Sequence, residues 1–259
     1  MNAIMDYSHY NKEMRKGLED KLFFMDKIKF DNLLDYGCAD GALIKEMNEY
    51  YPDKKYIGYD FDPKMIKLSQ SKNISGAKFF DDLESANNEL VAGDTKSIVL
   101  CSSLIHEVYS YGDIEQINAF WHNIYHSGNY DYVVIRDMAF DKAFVSKEEL
   151  SSIDDLNSVH EHGDPNQIKE FEHIWGSLSV KSNLIHFLMK YRYTVNWDRE
   201  VRENYFPITI DDHFLMIPDN AEIVYFEHYL LPFLKETVSN DFGITLTEKT
   251  HVKIIVKLK

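Results

Sequence analysis

From residue 35 to residue 41 the chain reads Asp35-Tyr36-Gly37-Cys38-Ala39-Asp40-Gly41, and nineteen positions beyond Gly41 stands Asp60, in YIGYDFDP. A glycine turn lets backbone come close to a ligand, and an acid following it can accept both hydroxyls of a ribose. A nucleoside is the ligand these residue types suit. The dinucleotide fingerprint needs G-x-G-x-x-G, so that a pyrophosphate meets a helix N-terminus. Here three residues separate Gly37 from Gly41, and position 39 is Ala. A glycine turn taken alone also serves tight packing; Asp60 is what adds a ligand to the reading.

A second cluster is denser in polar and aromatic groups: Ser102-Ser103-Leu104-Ile105-His106-Glu107-Val108-Tyr109-Ser110-Tyr111-Gly112. His106 is the best-suited general base, its imidazole titrating near neutrality without help. Glu107 could orient it, bind an amine, or simply be an acid favoured at a helix N-terminus. Tyr109 and Tyr111 could wall a cationic or planar ligand. Further on, Arg136 precedes Asp137 and could grip an acidic substrate group or pair internally with Asp137 or another acid.

Strands and helices in alternation must position these groups. FDNLLDYG reads as the first strand, ALIKEMNEY as a helix with Asp40 as its cap, KKYIGYD as the second strand, and PKMIKLSQSK as a helix with Pro63 in its first turn. AKFF and KSIVLCSS read as strands three and four, IEQINAFWHNIYHS as a helix stopped by Gly128, and YDYVVIRD as strand five. From about 139 to 220 the alternation gives way to helix-like segments, and it resumes with AEIVYFEHY and THVKIIVKLK. In the last run Val252, Ile254, Val256 and Leu258 alternate with His251, Lys253 and Lys257, the pattern of an edge strand with one wet face.

With D-x-G-x-x-x-G after strand one and an acid closing strand two, residues 30–138 and the last two strands resemble the class I S-adenosylmethionine-dependent methyltransferases. The resemblance implies an α/β fold: a Rossmann-like three-layer sandwich with a seven-stranded, mostly parallel sheet, its final strand antiparallel, and a helical insertion between strands 5 and 6. It also implies a cofactor, S-adenosylmethionine, with S-adenosylhomocysteine as product. In that family the first motif lies beside the methionine and ribose, which gives those roles to Asp35, Gly37, Cys38, Ala39 and Gly41. The ribose falls to Asp60 with Phe61 beside it, the adenine to Asp81 or Asp82, and Ser102 closes the site at the end of strand four. The commoner family form has Gly where this chain has Ala39.

The insertion is where such enzymes place their substrate-choosing cover. Residues 180–202 carry Lys181, Lys190, Arg192, Arg199 and Arg202 against Asp198 and Glu200. If 190–203 is one helix, Arg192, Arg199 and Arg202 share a side near Tyr191, Tyr193 and Trp197, suited to a phosphate-bearing or nucleic-acid substrate; a solvated face paired with Glu200 and Glu203 is the plainer reading. His160-Glu161-His162-Gly163-Asp164 offers alternating imidazoles on an extended segment, but without a partner ligand it reads as a polar loop and no metal is assigned. Tyr7-Ser8-His9-Tyr10 would lie over the cofactor or pack on the sheet edge.

The whole chain has 259 residues with 28 basic against 43 acidic, net charge -15, which disfavours a generic binder of long nucleic acid. Two distant cysteines, Cys38 and Cys101, and no long apolar stretch imply a cytoplasmic protein without a membrane span. One domain is expected: an N-terminal helical segment (1–29), a cofactor core (30–138), a helical cover (139–220) and closing strands (221–259). The expected function is methyl transfer to an oxygen or nitrogen of a small-molecule or nucleotide-like substrate. His106 and Glu107 would be catalytic, with Tyr109, Tyr111, Arg136, Arg192 and Arg199 on the substrate. The alternatives are an RNA or DNA methyltransferase, an aminopropyl transferase, and a binding module without chemistry; an NAD oxidoreductase is the weakest.

Overall fold

The structure, a computed structural model, describes residues 18–90, 95–146 and 149–258. The segment Tyr7–Tyr10 lies outside the described residues. Two compact units are present: one holds Leu18–Asp137, Leu215–Glu227 and the residues from Val252 on, and the other Met138–Phe214 and His228–His251.

The first unit is built on the sheet. After a short helix α1 (Leu18–Lys21) come β1 (Asn32–Tyr36), α2 (Ala42–Tyr50), β2 (Lys55–Tyr59), α3 (Pro63–Ser71), β3 (Ala77–Phe80) and α4 (Leu83–Leu90). They are followed by β4 (Ser97–Ser102), α5 (Ile105–Tyr111), α6 (Ile114–His126) and β5 (Tyr132–Met138). The order in the sheet is β3-β2-β1-β4-β5-β7-β6, where β6 is Glu222–Tyr229 and β7 is His251–Lys257. The first five strands run parallel, with Leu33 opposite Tyr56 on one side and Ile98 on the other. β7 runs against β5, since Leu258 N donates to Asp131 O at one end and Ala139 N donates to Thr250 O at the other.

Local chemistry explains the helix ends. Asp62 caps α3 by accepting from Lys64 N, with Pro63 at the first helical position, and Asp113 and Gln116 form a reciprocal capping box at α6. At α2 the cap position is Gly41 itself, and Asp40 instead reaches Ala42 N at 3.1 Å. Phe24, Leu33, Ile44, Met47, Tyr56, Ile98, Leu100, Val134 and Ile255 form the core of this unit, each sealed from water.

The edge position predicted for the final strand is wrong. β7 lies between β5 and β6, and β6 is the edge, with Ile223, Val224 and Phe226 about two-fifths exposed. The alternation misled because Lys253, taken as wet, has a side chain only 11% exposed and is ion-paired to Asp20 (2.7 Å) and Glu227 (3.5 Å). A charge that finds internal partners has the same sequence pattern as one facing solvent.

The second unit contains α7 (Lys142–Ser146), α8 (Ile153–His162), α9 (Pro165–Trp175), α10 (Lys181–Leu188), α11 (Trp197–Glu200) and α13 (Pro232–Phe242), with α12 (Ile210–Met216) at its border. Phe140, Phe171, Phe187, Leu188, Trp197, Val201, Val238 and Phe242 make its own core. The single helix posited for 190–203 does not form: only Trp197–Glu200 is helical, with turns on either side. The HEHGD segment is not an extended loop either. His160 and His162 fall in the last turn of α8, where residues two apart point to different sides of the helix. Among the described residues no helix is long and apolar enough to cross a membrane.

Candidate cofactor and acceptor site

The glycine turn follows β1 and is conformationally demanding. Gly37 (φ 80°), Ala39 (φ 47°) and Gly41 (φ 74°) all adopt left-handed backbone. Space is as restrictive as conformation: a Cβ on Gly37 would lie 2.6 Å from Leu104 Cδ1, and one on Gly41 2.8 Å from the Phe79 ring. Gly58 on β2, unremarked in the sequence, is equally confined, with Phe79 at 2.4 Å and Cys38 Sγ at 2.7 Å from its would-be Cβ. Ala39 has no such freedom and bears a cost of about 1–2 kcal/mol for its left-handed geometry.

Hydrogen bonds clasp this turn to the end of β2. Gly37 N and Cys38 N both donate to Tyr59 O, at 2.8 and 2.9 Å. Asp60, buried at the carboxyl end of β2, accepts from Ala39 N through Oδ2 and from Asp62 N through Oδ1, each at 2.9 Å. Beside it the Phe61 side chain is 80% exposed. Of the two acids after β3, Asp82 caps α4 by accepting from Ser85 N, whereas Asp81 is exposed and carries no cap. Asp35 is buried in β1; burial pushes its carboxyl up to about 7, with Lys21 opposing and Asp60 reinforcing the shift.

The ends of β4 and β5 form the second half of the site. Ser102 Oγ is buried and without a hydrogen-bond partner. Ser103, at φ 54°, donates its N–H to Arg136 O and accepts from Arg136 Nη1 at 2.9 Å. Arg136 is further engaged by Asp20, whose Oδ2 lies 2.8 Å from its Nε and 2.7 Å from its Nη2. The expectation that Arg136 faces a substrate gives way to its internal alternative, with a different partner from the adjacent Asp137.

Asp137 does something else. Fully buried, it accepts from Leu104 N (2.9 Å) and Ile105 N (2.6 Å) through Oδ2, capping α5 from a neighbouring strand, while its Oδ1 lies 2.8 Å from His106 Nδ1. Of the readings open for Glu107, orienting His106 is a contact that Asp137 makes. Glu107 stands half-buried in the first turn of α5. Tyr109 Oη accepts from Trp121 Nε1 at 3.0 Å, and Tyr111 is 56% exposed.

The basic run of the second unit is divided between paired surface side chains and one buried lysine. Lys181 pairs with Glu149 (2.8 Å) and Glu248 (2.6 Å), Arg192 donates to Thr237 Oγ1 (3.0 Å), and Arg199 pairs with Glu203 (2.8 Å). Lys190 is fully buried over the rings of Trp175 and Tyr205, donating to the carbonyls of Glu200 and Glu203. Burial lowers its ammonium to about 7. Of the five, Lys190 alone is buried, and Lys181, Arg192 and Arg199 each have a partner within the chain.

Residues 34–135 match the family described as a methyltransferase domain. No curated protein matches the chain. Among solved structures, an S-adenosylmethionine-dependent methyltransferase from Archaeoglobus fulgidus is similar at 15% identity and TM-score 0.49, over 97% of this chain and 100% of that one. The plantazolicin methyltransferase BamL, solved with a desmethyl-plantazolicin analogue and SAH, is 12% identical at TM-score 0.47, over 98% and 88%. PKMT2 from Rickettsia typhi, solved with AdoHcy, is 13% identical at TM-score 0.49, over 89% of this chain and 49% of that one.

Proposed function

Since the chain carries a methyltransferase domain of the class I, Rossmann-like kind over residues 34–135, we propose that it transfers the methyl group of S-adenosylmethionine to an oxygen or nitrogen of a small-molecule or nucleotide-like acceptor. The observation that carries this reading is the left-handed turn from Gly37 to Gly41, clasped by Asp60 through Ala39 N. The donor set suits the cofactor: acids for hydroxyls and an ammonium, and an exposed aromatic face for a base.

Asp60, at the carboxyl end of β2, holds the ribose hydroxyls, and the exposed Phe61 ring covers the adenine, whose edge Asp81 meets. Asp82, committed to capping α4, contributes less. Cys38 and Ala39 shape the turn, and Ser102 offers its unpartnered hydroxyl at the end of β4. When bound, S-adenosylmethionine supplies an electrophilic methyl on a sulfonium, so the protein's task is alignment and, for a protic acceptor, removal of one proton. His106 takes that proton, oriented through Nδ1 by Asp137. Glu107, Tyr109 and Tyr111 border the acceptor.

The nucleic-acid alternative draws no support from Lys190, which is buried, while Lys181, Arg192 and Arg199 each have a partner within the chain. The buried, unpaired thiols of Cys38 and Cys101 support a cytoplasmic setting.

Calorimetric titration with S-adenosylmethionine, S-adenosylhomocysteine and NAD tests the reading. Micromolar binding of the two sulfur nucleosides but not NAD, lost in Asp60→Ala, is expected. Absence of binding by either sulfur nucleoside overturns it.

A further inference from the structure

The last turn of α6 runs from His122 to His126, and both of these side chains stand in solvent. Residues four apart on a helix are neighbours on its surface, and here the two imidazoles face each other, their centroids 5.7 Å apart and their planes 28° from parallel. The buried side of the same turn fixes that spacing. Trp121 and Tyr125, each one position earlier, stack at 5.8 Å and 6°, Ile124 is sealed from water, and Trp121 Nε1 donates to Tyr109 Oη at 3.0 Å. Among the described residues neither His122 nor His126 makes a hydrogen bond or an ion pair, so their ring nitrogens are open to a ligand. A cavity of about 240 Å³ borders His126 and leaves that ring room to turn. Tyr125 also lines it, and its buried hydroxyl has no hydrogen-bond partner among the described residues, which favours a polar occupant over an apolar one.

Two imidazoles at i and i+4 on one helix face are the arrangement with which a helix chelates a transition metal. Two metal–nitrogen bonds of about 2.0–2.1 Å require the nitrogens to lie no more than about 4 Å apart, a modest rotation from the stacked position. Imidazole suits zinc, copper and nickel, whereas magnesium and calcium take oxygen. The net charge of -15 raises the concentration of any cation near the surface. We propose that His122 and His126 form a two-ligand site for a late first-row divalent ion of the zinc type, a site that the methyl-transfer reading does not use. The bound ion ties together the last turn of α6 and stabilises it by linkage.

Calorimetric titration of the untagged full chain with Zn²⁺, alone and in the presence of excess Mg²⁺, tests the assignment. A micromolar Zn²⁺ site indifferent to Mg²⁺ is expected. His122→Ala and His126→Ala should each weaken it by at least about tenfold, because in wild type the second imidazole closes on the ion intramolecularly. Both side chains are exposed, so neither substitution should change the melting temperature of the metal-free protein, and Zn²⁺ should raise melting in wild type alone. The double variant His160→Ala, His162→Ala removes histidines that point to different sides of α8 and should keep the site intact. A Zn²⁺ affinity that survives His122→Ala or His126→Ala overturns the proposal. So does half-saturation of wild type only in the millimolar range, as for scattered single histidines. Displacement of Zn²⁺ by Mg²⁺ overturns it as well and points to carboxylates, and loss of binding in the α8 double variant moves the ion to that helix.

Discussion

Asp60 and Ala39, on consecutive crossings of the sheet, are joined at 2.9 Å, so the acid proposed to hold a ribose also holds the turn that would receive it. Binding and loop geometry therefore depend on one side chain. Asp60→Ala orphans Ala39 N and Asp62 N as well as removing the ligand contact, at about 1–3 kcal/mol per charge-assisted bond. Both a lower melting temperature and loss of S-adenosylhomocysteine binding are expected. Asp60→Asn, able to accept at one oxygen only, should fall between wild type and Asp60→Ala in both measurements. An Asp60→Ala protein with unchanged melting would contradict the clasp.

Ala39 gives a prediction of opposite sign. Glycine at this position removes the left-handed penalty of about 1–2 kcal/mol and adds unfolded-state entropy costing about 0.5–1 kcal/mol. The net expectation for Ala39→Gly is a gain of about 0.5 kcal/mol, read as a small rise in urea midpoint. Ala39→Val, with a β-branched side chain at φ 47°, should lose more than that. A destabilised Ala39→Gly would show that the turn is not strained there.

Asp35 predicts a pH dependence. Its carboxyl titrates at about 7 in the folded chain and near 3.9 when unfolded, so between those values the unfolded state binds fewer protons. This group makes stability fall as pH rises from about 4 to about 7, and Asp35→Asn should flatten that part of a urea-unfolding profile. Because an ammonium prefers the ionised carboxylate, S-adenosylhomocysteine affinity should climb through about pH 7 in wild type and not in Asp35→Asn. A parallel climb in the variant would assign the effect elsewhere.

The His106–Asp137 pair separates structure from chemistry. Asp137→Ala leaves Leu104 N and Ile105 N unsatisfied at the start of α5 and should cost several kcal/mol of stability. His106→Gln leaves that cap in place, so its melting should change far less and its cofactor affinity not at all. With an acceptor found by screening with labelled methyl donor, His106→Gln should lower kcat at least a hundredfold for a hydroxyl acceptor and flatten the acid limb of the rate profile. Unaltered turnover would reduce His106 to a packing residue.

The parts of the site legible in the sequence are those whose meaning is local. The turn Asp35–Gly41 and the acid Asp60 were identifiable because glycine, strand end and acid occur at fixed short spacing, and the strand pairing that unites them follows from short parallel crossovers. Arg136 was not legible, because its partner Asp20 is 116 residues away, and adjacency suggested Asp137 instead. Lys190 misled in the same way: charge suggests a surface, and nothing in KYRYTVNWDRE reveals that two carbonyls and two rings enclose it. Asp137 lay in plain view with its role hidden, since a cap donated from another strand leaves no trace in the helix's own sequence.

The place of β7 between β5 and β6 means that the order of synthesis and the order of assembly differ. On the ribosome β6 emerges about twenty residues ahead of β7 (Tyr229 to His251) and finds no partner at the open side of β5 that the finished sheet assigns to it. Until the last strand is released, β6 is an apolar, unpaired ribbon carrying Ile223, Val224 and Phe226. Between the emergence of β6 and that of β7 the nascent chain thus exposes a strand without its partner, a target for chaperones and misassociation, while the glycine turn after β1 can already be in place.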